Sequence, residues 1–142
     1  MGRPMQLSAY LSFDGECQAA FEFYQALLGA KLQSFVTYKE VDEAVPENWQ
    51  HKVVHASLLL GEGVGDGLLM GSDARPGDYK SPSGFSLELD VSTAESAARI
   101  FSGLSEGGSI KLPLQPTSWA SHFGMLVDRF AIPWSINSKL TE

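Results

Sequence analysis

Cysteine is nearly absent from this sequence, with Cys17 alone among 142 residues. One thiol excludes an internal disulfide framework and any zinc or iron–sulfur site built from several cysteines. Cationic side chains are also scarce, 10 Lys and Arg against 17 Asp and Glu, for a net charge of −7. A field of that sign repels phosphate backbones and anionic lipid, so neither nucleic acid nor a membrane is expected as a partner. No apolar run approaches the ~20 residues that span a bilayer. No signal-peptide pattern opens the chain, and with a single cysteine a reducing cytoplasm is the expected setting. What is present is globular usage, 44% hydrophobic and 19% charged. The length suits one domain of the usual ~100–150 residues, so residues 1–142 are expected to form one.

The chain repeats itself. At a gapless shift of 78, Leu7, Ala9, Leu11 and Phe13 fall on Phe85, Leu87, Leu89 and Val91, apolar at every second place as in a half-buried strand. The same shift carries Ala19, Ala20 and Phe23 onto Ala97, Ala98 and Phe101. Cys17, Ala20, Phe21, Tyr24, Leu27 and Leu28 make one apolar helical stripe, and Ala94, Ala97, Ala98, Phe101 and Leu104 make another. Ser92 with Glu95 has the spacing of a capping box, and Gly29 and Gly107-Gly108 are suited to end the helices. Strand-like runs follow each helix, at 31–38, 52–60 and 67–72, then at 109–114, 119–127 and 133–138. Two strand-helix-three-strand halves are predicted, residues 5–73 and 85–138, joined by a Gly- and Pro-rich stretch at 74–84. The fold class is α+β, a tandem βαβββ repeat whose curved mixed sheet surrounds a concave pocket.

Strand parity assigns the faces. The odd positions of both first strands belong under the helices, which leaves Ser8, Tyr10, Ser12, Ser86, Glu88 and Asp90 on a polar face. Such a face is either simply solvated or the floor of a ligand pocket. His51 and His55 share a side of their strand, and His122 aligns with His55 if a gap is allowed. Near Glu88 these imidazoles suit metal binding, general acid or base work, or plain hydrogen bonding within the sheet. Trp119, Phe123, Trp134 and Tyr10 suit the wall of a pocket for a flat organic molecule, while core packing is the competing reading, strongest for Trp134. The glycine-rich segment 61–67 lacks the helix that a phosphate-binding loop requires and reads as a hairpin turn. Cys17 lies at a helix start but on its apolar stripe, where it packs.

A tandem repeat of this kind resembles the vicinal oxygen chelate superfamily of glyoxalase I, bleomycin-resistance proteins and extradiol dioxygenases. Tyr10-Leu-Ser-Phe-Asp-Gly15, Phe21-Glu-Phe-Tyr24, His55-Ala56 and Met70-Gly-Ser-Asp73 look like its PhnB-like subgroup. The string from Thr117 and Trp119-Ala120 through Phe123-Gly124-Met125, Asp128-x-Phe130 and Pro133-Trp134-x-Ile136-Asn137 is the most specific part of the match. The superfamily's metal enzymes set an imidazole or carboxamide on the first strand of each repeat and a carboxylate on the last. Carried over, those places are Ser8, Ser86, Met70 and Ser135, all poor donors. A slip of two residues brings in Tyr10, Glu88, Ser72 or Asn137, of which only Glu88 is a strong ligand.

No metal and no cofactor is therefore expected. Some PhnB-like proteins carry a demethylubiquinone methyltransferase label, but nothing here forms a separate nucleotide-binding fold for S-adenosylmethionine. The resemblance implies a homodimer, and a small-molecule binding protein or metal-independent enzyme. Its pocket is expected to hold Tyr10, Ser72, Trp119, Phe123 and Asn137 as ligand-binding residues and His55, His122 and Glu88 as candidate catalytic groups. A metal-dependent lyase or dioxygenase and a non-catalytic sequestering protein are the alternatives. An acidic groove favours sequestration of a cation such as bleomycin; an ordered His pair near Glu88 favours catalysis.

Overall fold

The structure is a computed structural model that describes residues 5–41, 44–61 and 67–140. It comprises two compact units, Met1–Lys80 and Ser81–Glu142, divided inside the Gly- and Pro-rich stretch. In the first, β1 (Ala9–Phe13) leads to α1 (Cys17–Leu28), β2 (Lys31–Thr37), the single turn α2 (Tyr38–Val41), a 3-10 turn (Glu47–Trp49), β3 (Val53–Leu59) and β4 (Leu68–Asp73). The sheet order is β1-β4-β3-β2, with β1 parallel to β4 and the other pairs antiparallel. The second unit repeats the plan with β5 (Leu87–Val91), α3 (Ala94–Ser105), β6 (Ser109–Gln115), β7 (Ala120–Val127) and β8 (Pro133–Lys139), in the order β5-β8-β7-β6. The fold is α+β, a tandem βαβββ repeat. No helix among the described residues is long and apolar enough to cross a membrane.

Parity holds where the strands are paired. Leu11 and Phe13 are buried while Tyr10 and Ser12 are exposed, and Leu87, Leu89 and Val91 are half-buried between exposed Glu88 and Asp90. It fails at the strand entrances: Leu7 is 97% exposed and Phe85 is also exposed, because both precede the first paired residue. The gapless shift fails on the helices for a related reason. The buried stripe is Cys17, Ala20, Phe21 and Tyr24 in α1, and Ala97, Ile100, Phe101 and Leu104 in α3. Phe101 thus answers to Phe21, and Phe23 is only half-buried. Ala97, the first buried position of α3, comes six residues after Val91, whereas Cys17 comes four after Phe13, an offset that a rigid slide of sequence on sequence cannot show.

The two phenylalanines explain two glycines. A Cβ on Gly71 of β4 would stand 3.0 Å from the Phe21 ring, and one on Gly124 of β7 would stand 2.6 Å from that of Phe101. Gly71 is paired with Leu11 and Ala56, and Gly124 with Ile136, so these residues mark the helix-covered face of each sheet. Burying a Phe ring contributes ~1.5–3 kcal/mol, provided that the strand beneath leaves room.

The helix ends differ from expectation in one respect. Gly29 ends α1 at φ 66°, as predicted. At α3 the cap is Thr93, whose Oγ1 accepts the Ser96 N–H at 3.0 Å, one residue past the Ser92 of the predicted capping box. At α1 no neighbouring side chain caps the helix, and the buried Asp73 of β4 accepts the Cys17 N–H at 2.9 Å instead. Asp73 also accepts the Val53 N–H at 2.9 Å, and its carbonyl takes the Tyr38 hydroxyl at 2.7 Å. Between β2 and β3 lie α2 and the 3-10 turn; Trp49 donates to the Ala74 carbonyl and Lys52 to that of Gly15. Residues 62–66 of the predicted hairpin turn lie outside the described residues. On either side of them β3 and β4 pair antiparallel, with Leu60 N–H on the Gly67 carbonyl at 2.9 Å, and a strand, not a helix, follows.

Candidate functional site

Each sheet has one face under its helix and one face free of it, and the helix-free faces carry the polar chemistry. In the first unit that face holds Tyr10 and Ser12 on β1, Met70 and Ser72 on β4, and His55 and Ser57 on β3, all one place removed from the helix-side residues Leu11, Gly71 and Ala56. Tyr10 Oη lies 3.1 Å from His55 Nδ1, with the rings tilted and 5.7 Å apart. Tyr10 is 53% exposed and His55 half-buried. The Oγ atoms of Ser34 and Ser57 hydrogen-bond at 2.8 Å on the neighbouring strands. No carboxylate stands among these positions. The expected ligand-binding residues Tyr10 and Ser72 and the candidate catalytic His55 therefore share one face.

In the second unit the helix-free face reads across the strands in rows. Asp90, Asn137 and Phe123 form one row, and Glu88, Ser135 and Met125 the next. Asn137 Nδ2 donates to Asp90 Oδ1 at 3.0 Å, while its buried Oδ1 has no hydrogen-bond partner. Ser86 and Ser135 share a hydrogen bond of 2.7 Å. Partial burial first, then the charge of Asp90 and a hydrogen bond with it, hold the Glu88 carboxyl above the ordinary carboxylate range. Beside the acid pair, Trp119 packs edge-on against Phe123 with ring centroids 5.5 Å apart, and Trp119 is 60% exposed. Glu88, Asn137, Phe123 and Trp119 are thus gathered on one side of one sheet.

His122 is not among them. It pairs with Ser138, one step from the Phe123–Asn137 pair, and so stands on the helix side with Gly124. Its Nδ1 is buried without a hydrogen-bond partner. By register the residue that answers to His55 is Phe123, since Ala56 and Gly124 both lie beside the middle of the last strand. The gapped alignment of His122 with His55 was off by one residue, and one residue on a strand reverses the face.

Trp134 follows its core-packing reading. It is buried, and its Nε1 donates to Asp128 Oδ2 at 2.9 Å. Asp128 Oδ1 also accepts the N–H groups of Phe130 and Ile132, which closes the β7–β8 turn. Much of the specific string from Trp119 to Asn137 is therefore architecture: Asp128 and Trp134 for the turn, Gly124 for Phe101. Trp119 is exposed, and Phe123 and Asn137 are half-buried on the helix-free face. Cys17 is buried on α1, where desolvation and then the Asp73 charge push its thiol far up.

The donor set does not fit a resident metal. The positions paired across the first and last strands are Tyr10 with Met70 and Glu88 with Ser135, and of these only Glu88 is a strong ligand. Among the described residues no three His, Cys, Asp or Glu stand where they could share an ion.

The chain matches the family described as 3-demethylubiquinone-9 3-methyltransferase over residues 5–137. It is 35% identical to Protein YjdN of Escherichia coli strain K12, over 94% of this chain and 95% of that protein. The crystal structure of protein PA1353 from Pseudomonas aeruginosa is 39% identical, with TM-score 0.83 over 95% of this chain and 98% of that one. A putative 3-demethylubiquinone-9 3-methyltransferase, PhnB protein, from Bacillus cereus is 25% identical, with TM-score 0.78 over 94% of this chain and 99% of that one. The fold, at 12% identity and TM-score 0.66, is also that of a glyoxylase/bleomycin resistance protein/dioxygenase domain from Frankia sp. EAN1pec, over 98% of this chain and 100% of that one. The chain belongs to the family described as 3-demethylubiquinone-9 3-methyltransferase, and it has the glyoxalase-like fold.

Proposed function

We propose that this protein binds a small organic molecule against the helix-free faces of its sheets, without a metal. The observation that carries this reading is the second unit's face, where an exposed indole lies against Phe123 beside Asn137, Asp90 and Glu88. An exposed indole on a half-buried phenyl ring, bordered by hydrogen-bonding groups, offers a flat ligand both stacking area and orientation. Methyl transfer is not part of the proposal, because the described residues form two βαβββ units and no separate fold for S-adenosylmethionine. A second reading, metal-independent catalysis, is favoured by one observation, the Tyr10–His55 hydrogen bond. A homodimer and a cytoplasmic setting belong to the same proposal, the first testable by light scattering.

The test is native mass spectrometry of the purified protein, followed by thermal-shift screening against flat organic compounds with and without cationic groups. A ligand at a hundred times its Kd adds about 2.7 kcal/mol to stability. Trp119→Ala is expected to abolish that gain while leaving the free protein's melting temperature nearly unchanged. The reading is overturned if no compound binds, or if bound compounds are indifferent to both Trp119→Ala and Phe123→Ala.

A further inference from the structure

The two helix-free faces are built on one plan with opposite chemistry. Register places Tyr10 where the second unit has Glu88, Ser12 where it has Asp90, Ser72 where it has Asn137, and His55 where it has Phe123. The second face presents carboxylates; the first presents a phenol, hydroxyls and an imidazole, all capable of donating a hydrogen bond. A face of donors without a carboxylate suits a ligand oxygen with lone pairs to offer.

The Tyr10–His55 contact makes this more than a polar patch. At 3.1 Å one proton lies between Oη and Nδ1, so the two side chains share a single choice. If the phenol donates, the neutral ring carries its proton on Nε2. If Nδ1 donates, the phenol proton turns outward and Nε2 becomes the acceptor. The tautomer of His55 is thereby coupled to the direction in which the Tyr10 hydroxyl points.

We propose that Tyr10 and His55 form a proton-exchanging pair on the first sheet, taking the carbonyl or carboxylate oxygen of a small organic acid, with His55 the catalytic group and Tyr10 its positioning residue. This rests on the small-molecule reading above and extends it to a second face and a chemical class. With the phenol donating to Nδ1, the Nε2–H hydrogen-bonds the bound oxygen and no proton moves; with Nδ1 donating to Tyr10, Nε2 takes the proton of a hydroxyl on the ligand, leaving the ring a cation and that oxygen an anion until the proton returns. Ser12 and Ser72, on the same face of β1 and β4, are placed to accept or donate the remaining hydrogen bonds.

The experiment is nitrogen-resolved NMR of the three imidazoles in the full-length protein, wild type and Tyr10→Phe, with pyruvate as the probe. In wild type one neutral tautomer of His55 is expected to dominate; in Tyr10→Phe the two tautomers mix, while His51 and His122 stay unchanged as internal controls. Pyruvate is expected to shift the His55 resonances and to bind about tenfold more weakly to Tyr10→Phe, the loss that one hydrogen bond gives. Tyr10→His, which restores a donor and acceptor, is expected to recover part of the affinity. Identical His55 tautomers in wild type and Tyr10→Phe overturn the proposal, as does the absence of any pyruvate shift at His55. The Trp119-dependent thermal shift separates the two readings: a screened compound that still gives it after a negative result here leaves the small-molecule reading standing and removes only this extension.

Discussion

The face assignment is the premise of every site residue named above, and two neighbouring positions on β1 test it. Leu11 is 4% exposed and lies against Gly71 on the side that α1 covers, whereas Tyr10, next to it, points the other way. Leu11→Ser removes a buried branched chain, for which truncation costs ~2–5 kcal/mol. It also sets a hydroxyl under the helix, at roughly 1–3 kcal/mol more where no acceptor waits. Folding entropy near 2.1 cal/mol/K per residue makes each kcal/mol worth about 3 °C for a chain of this length. The melting temperature is therefore expected to fall by about 9–24 °C. Tyr10→Phe keeps the ring and loses one largely solvated hydrogen bond to His55, so its loss stays below ~1 kcal/mol, or about 3 °C. Thermal denaturation followed by circular dichroism reads both, with Leu11→Ala in reserve if the serine variant does not fold. Leu89→Ser and Glu88→Gln repeat the comparison on β5, with a smaller contrast because Leu89 is only half-buried. Losses of similar size at Tyr10 and Leu11 would refute the assignment of faces, and with it the candidate site.

Three further outcomes follow from the packing and the charges. Phe21→Ala and Phe101→Ala should each cost about 3–5 kcal/mol in urea denaturation and Phe23→Ala clearly less; equal losses at all three would mean that the helix stripes were misread. Glu88, held above the ordinary range, binds more protons folded than unfolded, so its contribution is fully present below the ordinary glutamate value of ~4.5 and is lost as pH rises through the raised one. Wild type should accordingly lose stability relative to Glu88→Gln as pH rises through that window, and a difference flat with pH would contradict it. Cys17, buried and with its thiol pushed up by desolvation and Asp73, should resist thiol reagents until the protein unfolds; labelling of the native protein within minutes would show the site to be open.

Strand parity and helical spacing were enough, from the sequence alone, to give the α+β class, both βαβββ halves, the strand positions to within a residue or two, and the polar side of β1 and β5. Those are local matters, because side-chain direction alternates along a strand whatever it pairs with. What parity could not reach was any alignment between strands that are not consecutive. His122 appeared equivalent to His55 only because nothing local distinguishes one residue of slip, and the β7–β8 register settles it by pairing His122 with Ser138. Asp73 gave no sign of capping α1, since its partner Cys17 is 56 residues away in the chain. The Tyr10–His55 bond spans 45 residues and the Asp90–Asn137 bond 47. Residue type and spacing are local and say which side chains are polar and which element carries each; which of them meet follows from pairing between distant strands, because such hydrogen bonds depend on register, and register is a property of the assembled sheet.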